Sequence, residues 1–360
     1  MPRGGIETPT QGFSVHDSIN KNLNNELFLK FDKIFTSEEL NDLVPNLYLA
    51  KIIKKSRGFS LKTMPSTLSN CPKCDSDTSF SFITKDYNRK ITNDFFSYRK
   101  CDKCGLIFLS NIPSNLGDYY KEDYYEIPSK SRLIKIADKN EYQVRMIKNH
   151  IPNGKLLDVG AAFGVFAYKA KSLGFDVSTI EMSKLCCEYL SDEVGVKVFQ
   201  GDKPESIIPT LGNYDVITFW HNIEHLLEPW KVLEEASKKI NPGGIILIAT
   251  PNPYSFAFRL LGRFWPHVDA PRHINLIPES LLTTKLKDLG FDLVMKTTND
   301  KGGRSWNRFS WQRIIGNQFS SKTMERVAFI IAWIVSIPIS IIENIGYNGS
   351  AYTVVYKKFK

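Results

Sequence analysis

The chain has 360 residues, 42% of them hydrophobic and 24% charged. That is ordinary globular composition and excludes a collagen-like chain, a coiled coil or a wholly disordered protein. Its 47 Lys and Arg against 38 Asp and Glu give a net charge of +9. This excess suits nucleic acid, an anionic membrane or an acidic substrate without choosing among them. Six cysteines are too few for a secreted disulfide scaffold of this length.

Met1 to Asn25 is polar and lacks an apolar run of signal-peptide length, which reads as a mobile extension in the cytoplasm. Thr36 with Glu39 forms a capping-box pattern opening a short helix toward Lys54, interrupted by Pro45. Arg57 to Asn70 reads as a linker, and a cysteine-bearing block runs from Cys71 to about Gly105. Phe80–Thr84 and Ile91–Tyr98 are β-rich and suit a hairpin. An aromatic, acidic connector follows through Tyr119, Tyr120, Tyr124 and Tyr125, and helical spacing returns around Glu141 to Ile151.

From Lys155 strands and helices alternate. Strands are expected at Lys155–Gly160, Val177–Glu181, Val196–Gly201, Tyr214–Trp220 and Ile245–Thr250. Helices are expected at Val165–Leu173, Lys184–Leu190 and Trp230–Ile240. A helix near Ser280–Leu289 and strands at Phe291–Lys296 and Ala351–Lys357 complete the pattern. Apolar strands separated by helices imply parallel βαβ units. About 50 residues lie between the last two strands, far more than an ordinary loop. The divisions expected are an extension (1–60), a cysteine module with connector (61–128), an α/β domain (129–300), a helical insertion (301–349) and a final strand (350–360).

Cys71-Pro-Lys-Cys74 and Cys101-Asp-Lys-Cys104 are two C-x2-C pairs separated by 26 residues. Each pair sets two thiolates on one turn, and two turns close a tetrahedral shell around Zn²⁺. Four thiolates leave no position for catalytic water, so this zinc is expected to be structural. The nearby Asp75, Asp77, Asp102, Asp118, Glu122 and Asp123 argue against a nucleic-acid face. Cys186 and Cys187 fall in a helix and read as core residues.

Asp158-Val-Gly160-Ala-Ala-Phe-Gly164 ends the first strand of the α/β part and opens its helix. The glycine turn lets backbone N–H groups approach a ligand. Ala162 and Val165 break the G-x-G-x-x-G spacing of a dinucleotide site. Asp158 beside the turn favours a cationic or amine-bearing ligand over a pyrophosphate. Glu181 ends the second strand, where a carboxylate can take ribose hydroxyls. Gly201-Asp202 ends the third, over the expected adenine end.

Asp158–Gly164, Glu181, Gly201-Asp202, Tyr214–Ile217 and Asn241-Pro-Gly-Gly244 together resemble the ordered motifs of class I SAM-dependent methyltransferases. The resemblance covers about 155–252. His221-Asn-Ile-Glu224-His225-Leu226 is similar to the Leu-Glu-His stretch of the subgroup related to ubiquinone-biosynthesis O-methyltransferases. Thr250-Pro-Asn252 and Asp269-Ala-Pro-Arg-His273 resemble bacterial members often found with surface-polysaccharide genes, in which a four-cysteine ribbon precedes the fold. Ala162 departs from the glycine many members carry there. The resemblance implies a Rossmann-like, mostly parallel sheet with an antiparallel last strand and an N-terminal zinc ribbon; the long segment between the last two strands adds a hydrophobic helical insertion. It implies that Gly160 and Gly164 shape the loop under the methionine part of S-adenosyl-L-methionine (SAM), that Asp158 acts near its amino group and that Glu181 holds the ribose. Asp202 would approach the adenine.

Methyl transfer to a hydroxyl needs alignment and proton removal. His221 and His225 follow the fourth strand and are base candidates, with Glu224 orienting one imidazole; His273 beside Arg272 faces the acceptor or anchors an anion. Capping and loop-holding roles for Glu224, His225 and the Arg272–His273 pair are the alternatives. H-x-x-E-H has metal-like spacing, but a metallohydrolase leaves the glycine loop and Glu181 unexplained.

Lys301 to Arg326 carries six basic residues against one acid, with Trp306, Phe309 and Trp311 interleaved. The apolar run Val327 to Ile342 follows, broken by Pro338; its 16 residues fall short of the ~20 needed to cross a bilayer. The segment 301–342 suits a helix lying in a membrane interface, or a lid or dimer helix. The expected activity is O-methylation of a saccharide or lipid-linked acceptor in the cytoplasm at the inner membrane face. Alternatives are sugar C-methylation and a zinc-ribbon binding protein with an inactive fold.

Overall fold

A computed structural model describes residues 68–120, 125–316 and 322–359. All belong to one unit, Met64–Lys360. The capping-box helix expected at 36–54 and most of the 57–70 linker lie outside the described residues.

Hydrophobic strands of the α/β part pair into a seven-stranded sheet. Its strands are β4 (Gly154–Val159), β5 (Phe175–Glu181), β6 (Lys197–Gln200), β7 (Tyr214–Trp220), β8 (Ile240–Pro251), β10 (Phe291–Thr297) and β11 (Ala351–Lys358), in the order β10-β11-β8-β7-β4-β5-β6. Strands β4 to β8 pair in parallel, and β11 runs antiparallel to both β8 and β10. The fold is therefore the expected Rossmann-like sheet with its last strand reversed. The central strands are buried on both faces, as a sheet covered by helices requires.

Helices α1 (Lys130–Lys139) and α2 (Glu141–Lys148) precede the sheet, and α3 (Val165–Ser172) and α4 (Lys184–Tyr189) follow β4 and β5. Helix α5 (Pro229–Lys239) opens with Pro229 in its first turn, where the missing N–H costs nothing. Helix α6 (Phe256–Leu261) is capped by Ser255, and α7 (Glu279–Asp288) leads into β10. Cys186 and Cys187 are buried on α4, as core residues. Gly164 begins α3 with φ +81, and a Cβ there would lie 2.5 Å from Leu190 Cδ2. Its glycine thus serves close helix packing.

The cysteine module is an antiparallel sheet of β1 (Thr78–Thr84), β2 (Phe96–Cys101), β3 (Ile107–Leu109) and β9 (Asn275–Leu276), in the order β1-β2-β3-β9. Strand β9 comes from the loop after β8, two hundred residues of sequence away from the knuckles in order of magnitude, and pairs Ile107 with Leu276. The ribbon and the α/β part thereby share backbone hydrogen bonds. The insertion forms α8 (Lys301–Gly316) and α9 (Lys322–Glu343), the latter containing Pro338.

Candidate active site

The carboxyl ends of the parallel strands, where open α/β sheets bind ligands, face one cavity of about 1410 Å³. Gly160, Ala162, Glu181, Met182 and Asp202 line one side; His221, Glu224, His225 and His273 line the other. Trp306 and Phe309 of α8 also line it, as do Asn88 and Tyr120 from the ribbon side.

Glu181 is buried and holds the loop. Its Oε2 accepts from the Ala162 N–H (2.8 Å), and its Oε1 from the N–H groups of Met182 and Ser183 (both 2.9 Å). Burial raises its pKa, against the opposing pull of these three donors. Gly160 has φ +77, and a Cβ there would meet Asn222 Nδ2 at 2.1 Å. Ala162 occupies the left-handed region at φ 50 despite its methyl group, a conformation that costs about 1–2 kcal/mol.

Asp158 is placed differently from these. It is buried, accepts from Thr218 Oγ1 at 2.7 Å and is absent from the cavity lining. Burial pushes its pKa up to about 7. Asp202 is exposed at the cavity edge.

Two further cavity residues escaped the sequence reading. Asn222 Oδ1 and Trp220 Nε1 are buried without a hydrogen-bond partner among the described residues. An acceptor and a donor left open beside the glycine turn suit the amino and carboxylate groups of SAM. The residues present therefore fit that cofactor.

On the opposite side Trp306 Nε1–H donates to His221 Nε2 (2.7 Å), so α8 occupies that lone pair. His221 has φ 50, and its Nδ1 lies 3.7 Å from Glu224 Oε1, beyond hydrogen-bond distance. Glu224 is fully buried, and its Oε2 accepts from Thr250 Oγ1 (2.9 Å). Burial opposes its ionisation, but the histidines around it outweigh that and hold the carboxyl at about 2. His225 Nδ1 lies 2.9 Å from both the Arg272 carbonyl and Tyr120 Oη. A carbonyl only accepts, so Nδ1 carries the proton and Nε2 the lone pair. Burial, then His273, lowers the His225 pKa to about 4, so the ring is neutral at pH 7. His273 stacks edge-on to it at 4.6 Å between centroids and donates Nδ1–H to the His267 carbonyl (2.7 Å).

Arg272 is fully buried and does not face the acceptor space. It donates to Asp86 of the ribbon (2.7 Å) and to Asp269 (3.0 and 2.7 Å). Asp86 in turn accepts from the Arg89 and Ile91 N–H groups. This bidentate pairing is the geometry arginine favours. It ties the hairpin turn to the loop that carries His273.

Cys71 Sγ lies 3.6 Å from Cys104 Sγ, and Cys74 Sγ 3.6 Å from Cys101 Sγ. All four sulfurs fall within 4.8 Å of one another, and none forms a disulfide. Zinc–sulfur bonds of about 2.3 Å put tetrahedral ligands about 3.8 Å apart, so the cluster fits that ion.

Residues 136–296 match the family described as Methyltransferase domain. The chain carries a class I SAM-dependent methyltransferase domain. The ubiquinone biosynthesis O-methyltransferase of Bordetella avium is 27% identical over 126 residues, 33% of this chain and 52% of that protein. The chain thus spans about half the length of that relative. An uncharacterised protein of Methanocaldococcus jannaschii is 26% identical over 184 residues, 51% of this chain and 84% of its own. Among solved structures, a SAM-dependent methyltransferase from Archaeoglobus fulgidus is 17% identical with a TM-score of 0.42, covering 62% of this chain and 94% of that one. Within the matched residues, the cavity sets the glycine turn and Glu181 on one side and the histidines on the other.

Proposed function

We propose that the protein transfers a methyl group from SAM to a hydroxyl of a saccharide or lipid-linked acceptor at a membrane surface. The observation that carries this reading is the single cavity joining the glycine turn to the Glu224–His225–His273 cluster. SAM, when bound, supplies an electrophilic methyl group on a sulfonium centre. Gly160, Asn222 and Trp220 would hold its amino-acid end, Glu181 its ribose and Asp202 its adenine side. His225 faces the acceptor with its Nε2 lone pair, because the Arg272 carbonyl fixes the other nitrogen. That lone pair takes the hydroxyl proton as the O–C bond forms. Cys71, Cys74, Cys101 and Cys104 would hold structural zinc, and the ribbon would act as one wall of the acceptor space.

Helix α9 supports the membrane setting. Ile330, Ile334, Ile337 and Ile341 are 51–65% exposed, whereas Ala332, Ser336 and Glu343 are buried. Its branched apolar residues point outward and its small and polar ones inward. Lys301, Arg304 and Arg308 of α8 are exposed and suit anionic lipid headgroups. No helix among the described residues is long and apolar enough to cross a membrane, so the reading is of a helix lying in the interface.

Incubation with methyl-labelled SAM and cell-envelope extract tests the acceptor class. Label is expected in the saccharide or lipid fraction with a new O-methyl signal by NMR; label in protein or RNA only, or a C-methyl signal, overturns it. Sedimentation with vesicles containing anionic lipid tests α9. Binding is expected to fall with Ile334→Glu plus Ile341→Glu, and a dimer that these changes dissociate instead would point to a second copy.

A further inference from the structure

Three lone pairs meet on the acceptor side, and the one N–H near them, His221 Nδ1–H, stands 3.7 Å from Glu224 Oε1, too far for a hydrogen bond. Glu224, His225 and His273 each offer one ligand atom, and these atoms lie within 4.8 Å of one another. Glu224 Oε1 is buried and has no hydrogen-bond partner among the described residues. His225 and His273 both spend their Nδ1–H on backbone carbonyls, those of Arg272 and His267, which leaves the Nε2 lone pairs. Asp269 adds a further carboxylate oxygen 3.8 Å from His273 Nε2. Buried acceptors that face one another without a donor in hydrogen-bond range are costly, and a cation between them removes the cost.

The surroundings match what a metal site needs. Metal-ligating histidines usually donate their second nitrogen to a carbonyl or carboxylate, which fixes the tautomer and ring plane. Both imidazoles do so. The Arg272 carbonyl is itself held in place, because its side chain is clamped between Asp86 and Asp269. Two nitrogens and one carboxylate suit a first-row transition dication such as Zn²⁺, Mn²⁺ or Fe²⁺ better than Mg²⁺ or Ca²⁺, which prefer all-oxygen shells. H-x-x-E-H spacing alone pairs His221 with His225, but Trp306 occupies His221 Nε2. His273, almost fifty residues further on in order of magnitude, takes its place.

We propose that Glu224, His225 and His273 bind a divalent transition-metal ion that ligates the acceptor hydroxyl. This rests on the methyl-transfer reading and replaces its His225 base with a metal-bound hydroxyl, His225 becoming a ligand. Three protein ligands leave open positions for the acceptor oxygen. Bonds of about 2.0–2.2 Å bring ligand atoms to about 3 Å from one another, so loading draws these side chains inward. The ion lowers the hydroxyl pKa, and the proton leaves to solvent instead of to His225. The oxygen then uses its electron pair to bond the methyl carbon, the C–S pair returns to sulfur, and the sulfonium charge is lost. The acceptor and SAM give methyl ether, S-adenosylhomocysteine and one proton; the metal is unchanged.

The test is Co²⁺ titration of the chelator-stripped full chain, followed by ultraviolet and visible absorption, with SAM binding measured by calorimetry on each sample. The four-cysteine cluster gives thiolate-to-cobalt charge transfer. A second equivalent is expected to add ligand-field bands without further charge transfer. Glu224→Gln, His225→Gln and His273→Gln are each expected to weaken that second equivalent at least about 100-fold while retaining the thiolate signal, and Cys74→Ser to do the reverse. Persistence of the thiolate signal and of SAM binding marks a variant as folded. Binding of a single cobalt equivalent by wild-type protein that still binds SAM overturns the metal site alone. So does a second equivalent unaffected by all three substitutions. Failure of the wild type to bind SAM overturns the methyl-transfer reading itself.

Discussion

Glu181→Gln keeps the shape of the side chain and removes its charge, which makes it a sharp test of the cofactor side. The carboxylate accepts three backbone N–H groups, two on Oε1 and one on Oε2. An amide has one carbonyl oxygen. If that oxygen keeps Met182 and Ser183, the amide NH₂ is set against the Ala162 N–H; if it keeps Ala162, two donors are lost. The milder outcome forfeits one charge-assisted hydrogen bond, about 1.5–3 kcal/mol. It also weakens what remains for the ribose hydroxyls. At 1.4 kcal/mol per factor of ten, SAM and S-adenosylhomocysteine should bind about 100-fold more weakly, as measured by calorimetry. Asp202→Asn, at an exposed carboxylate, should cost less than about tenfold. Because burial raises the Glu181 pKa, cofactor affinity in the wild type should fall on acidification through that raised value. In Glu181→Gln this part of the pH dependence should vanish. Unchanged affinity in Glu181→Gln, with an unchanged melting temperature, would refute the assignment of the ribose to this carboxylate.

Other consequences follow from buried groups elsewhere. Arg272→Met strands Asp86 and Asp269 without their partner, and should destabilise the fold by about 3–5 kcal/mol in denaturant titration. Glu343 is buried, accepts from Trp311 Nε1, and has its pKa pushed up by burial from 4.5 to about 7. Its contribution to stability is full below about pH 4.5 and is lost as pH rises through 7, a span worth about 3 kcal/mol; Glu343→Gln should flatten that decline in melting curves taken between pH 5 and 8. Stripping metal from the four cysteines should accelerate hydrogen exchange in both Ile107–Leu109 and Asn275–Leu276, since these strands pair.

The βα alternation was legible because the central strands β4, β7 and β8 bury both faces and so read as apolar runs, and because glycine turns mark the ends. Gly160, Glu181 and Asp202 sit at strand ends fixed by that alternation, which put them at one edge of the sheet before any coordinates. The knuckles were legible because thiolate spacing is a local property. What the sequence could not display depends on contacts between distant segments. Strand β9 is two residues long, too short for any periodicity. Asp86 belongs to no motif in the sequence, yet it is buried on Arg272. Arg272 and His273 are neighbours in sequence, but the arginine turns into the core and the histidine toward the cavity. Asn222 was passed over within the His221–Leu226 stretch because an amide carries no titration signal; its position under Gly160 is a matter of backbone approach. The 301–349 insertion was recognisable from length and apolarity, whereas the direction its apolar face points was not.

That direction constrains how the protein works. Burying a leucine or isoleucine side chain is worth about 1.5–3 kcal/mol. Ile330, Ile334, Ile337, Ile341 and Ile345 are 51–65% exposed, so covering what remains open is worth about 4–9 kcal/mol, comparable to the stability of a marginal domain. The inward strip compensates little, since beside Ile339, which packs on the core, it offers Ala332, Ser336 and Glu343, with Glu343 committed to Trp311. Rotating the helix to bury the isoleucines would expose that strip but break the Trp311 contact, and Trp311 lies on the same helix as Trp306, which closes on His221. The helix therefore faces outward because α8 needs its polar side. A surface that takes up the isoleucines would stabilise α8 over the cavity, and would bring a lipid-linked acceptor to its mouth. Coupling of this kind predicts that anionic vesicles slow hydrogen exchange in α8 as well as in α9; protection confined to α9 would show that surface binding and the cavity are independent.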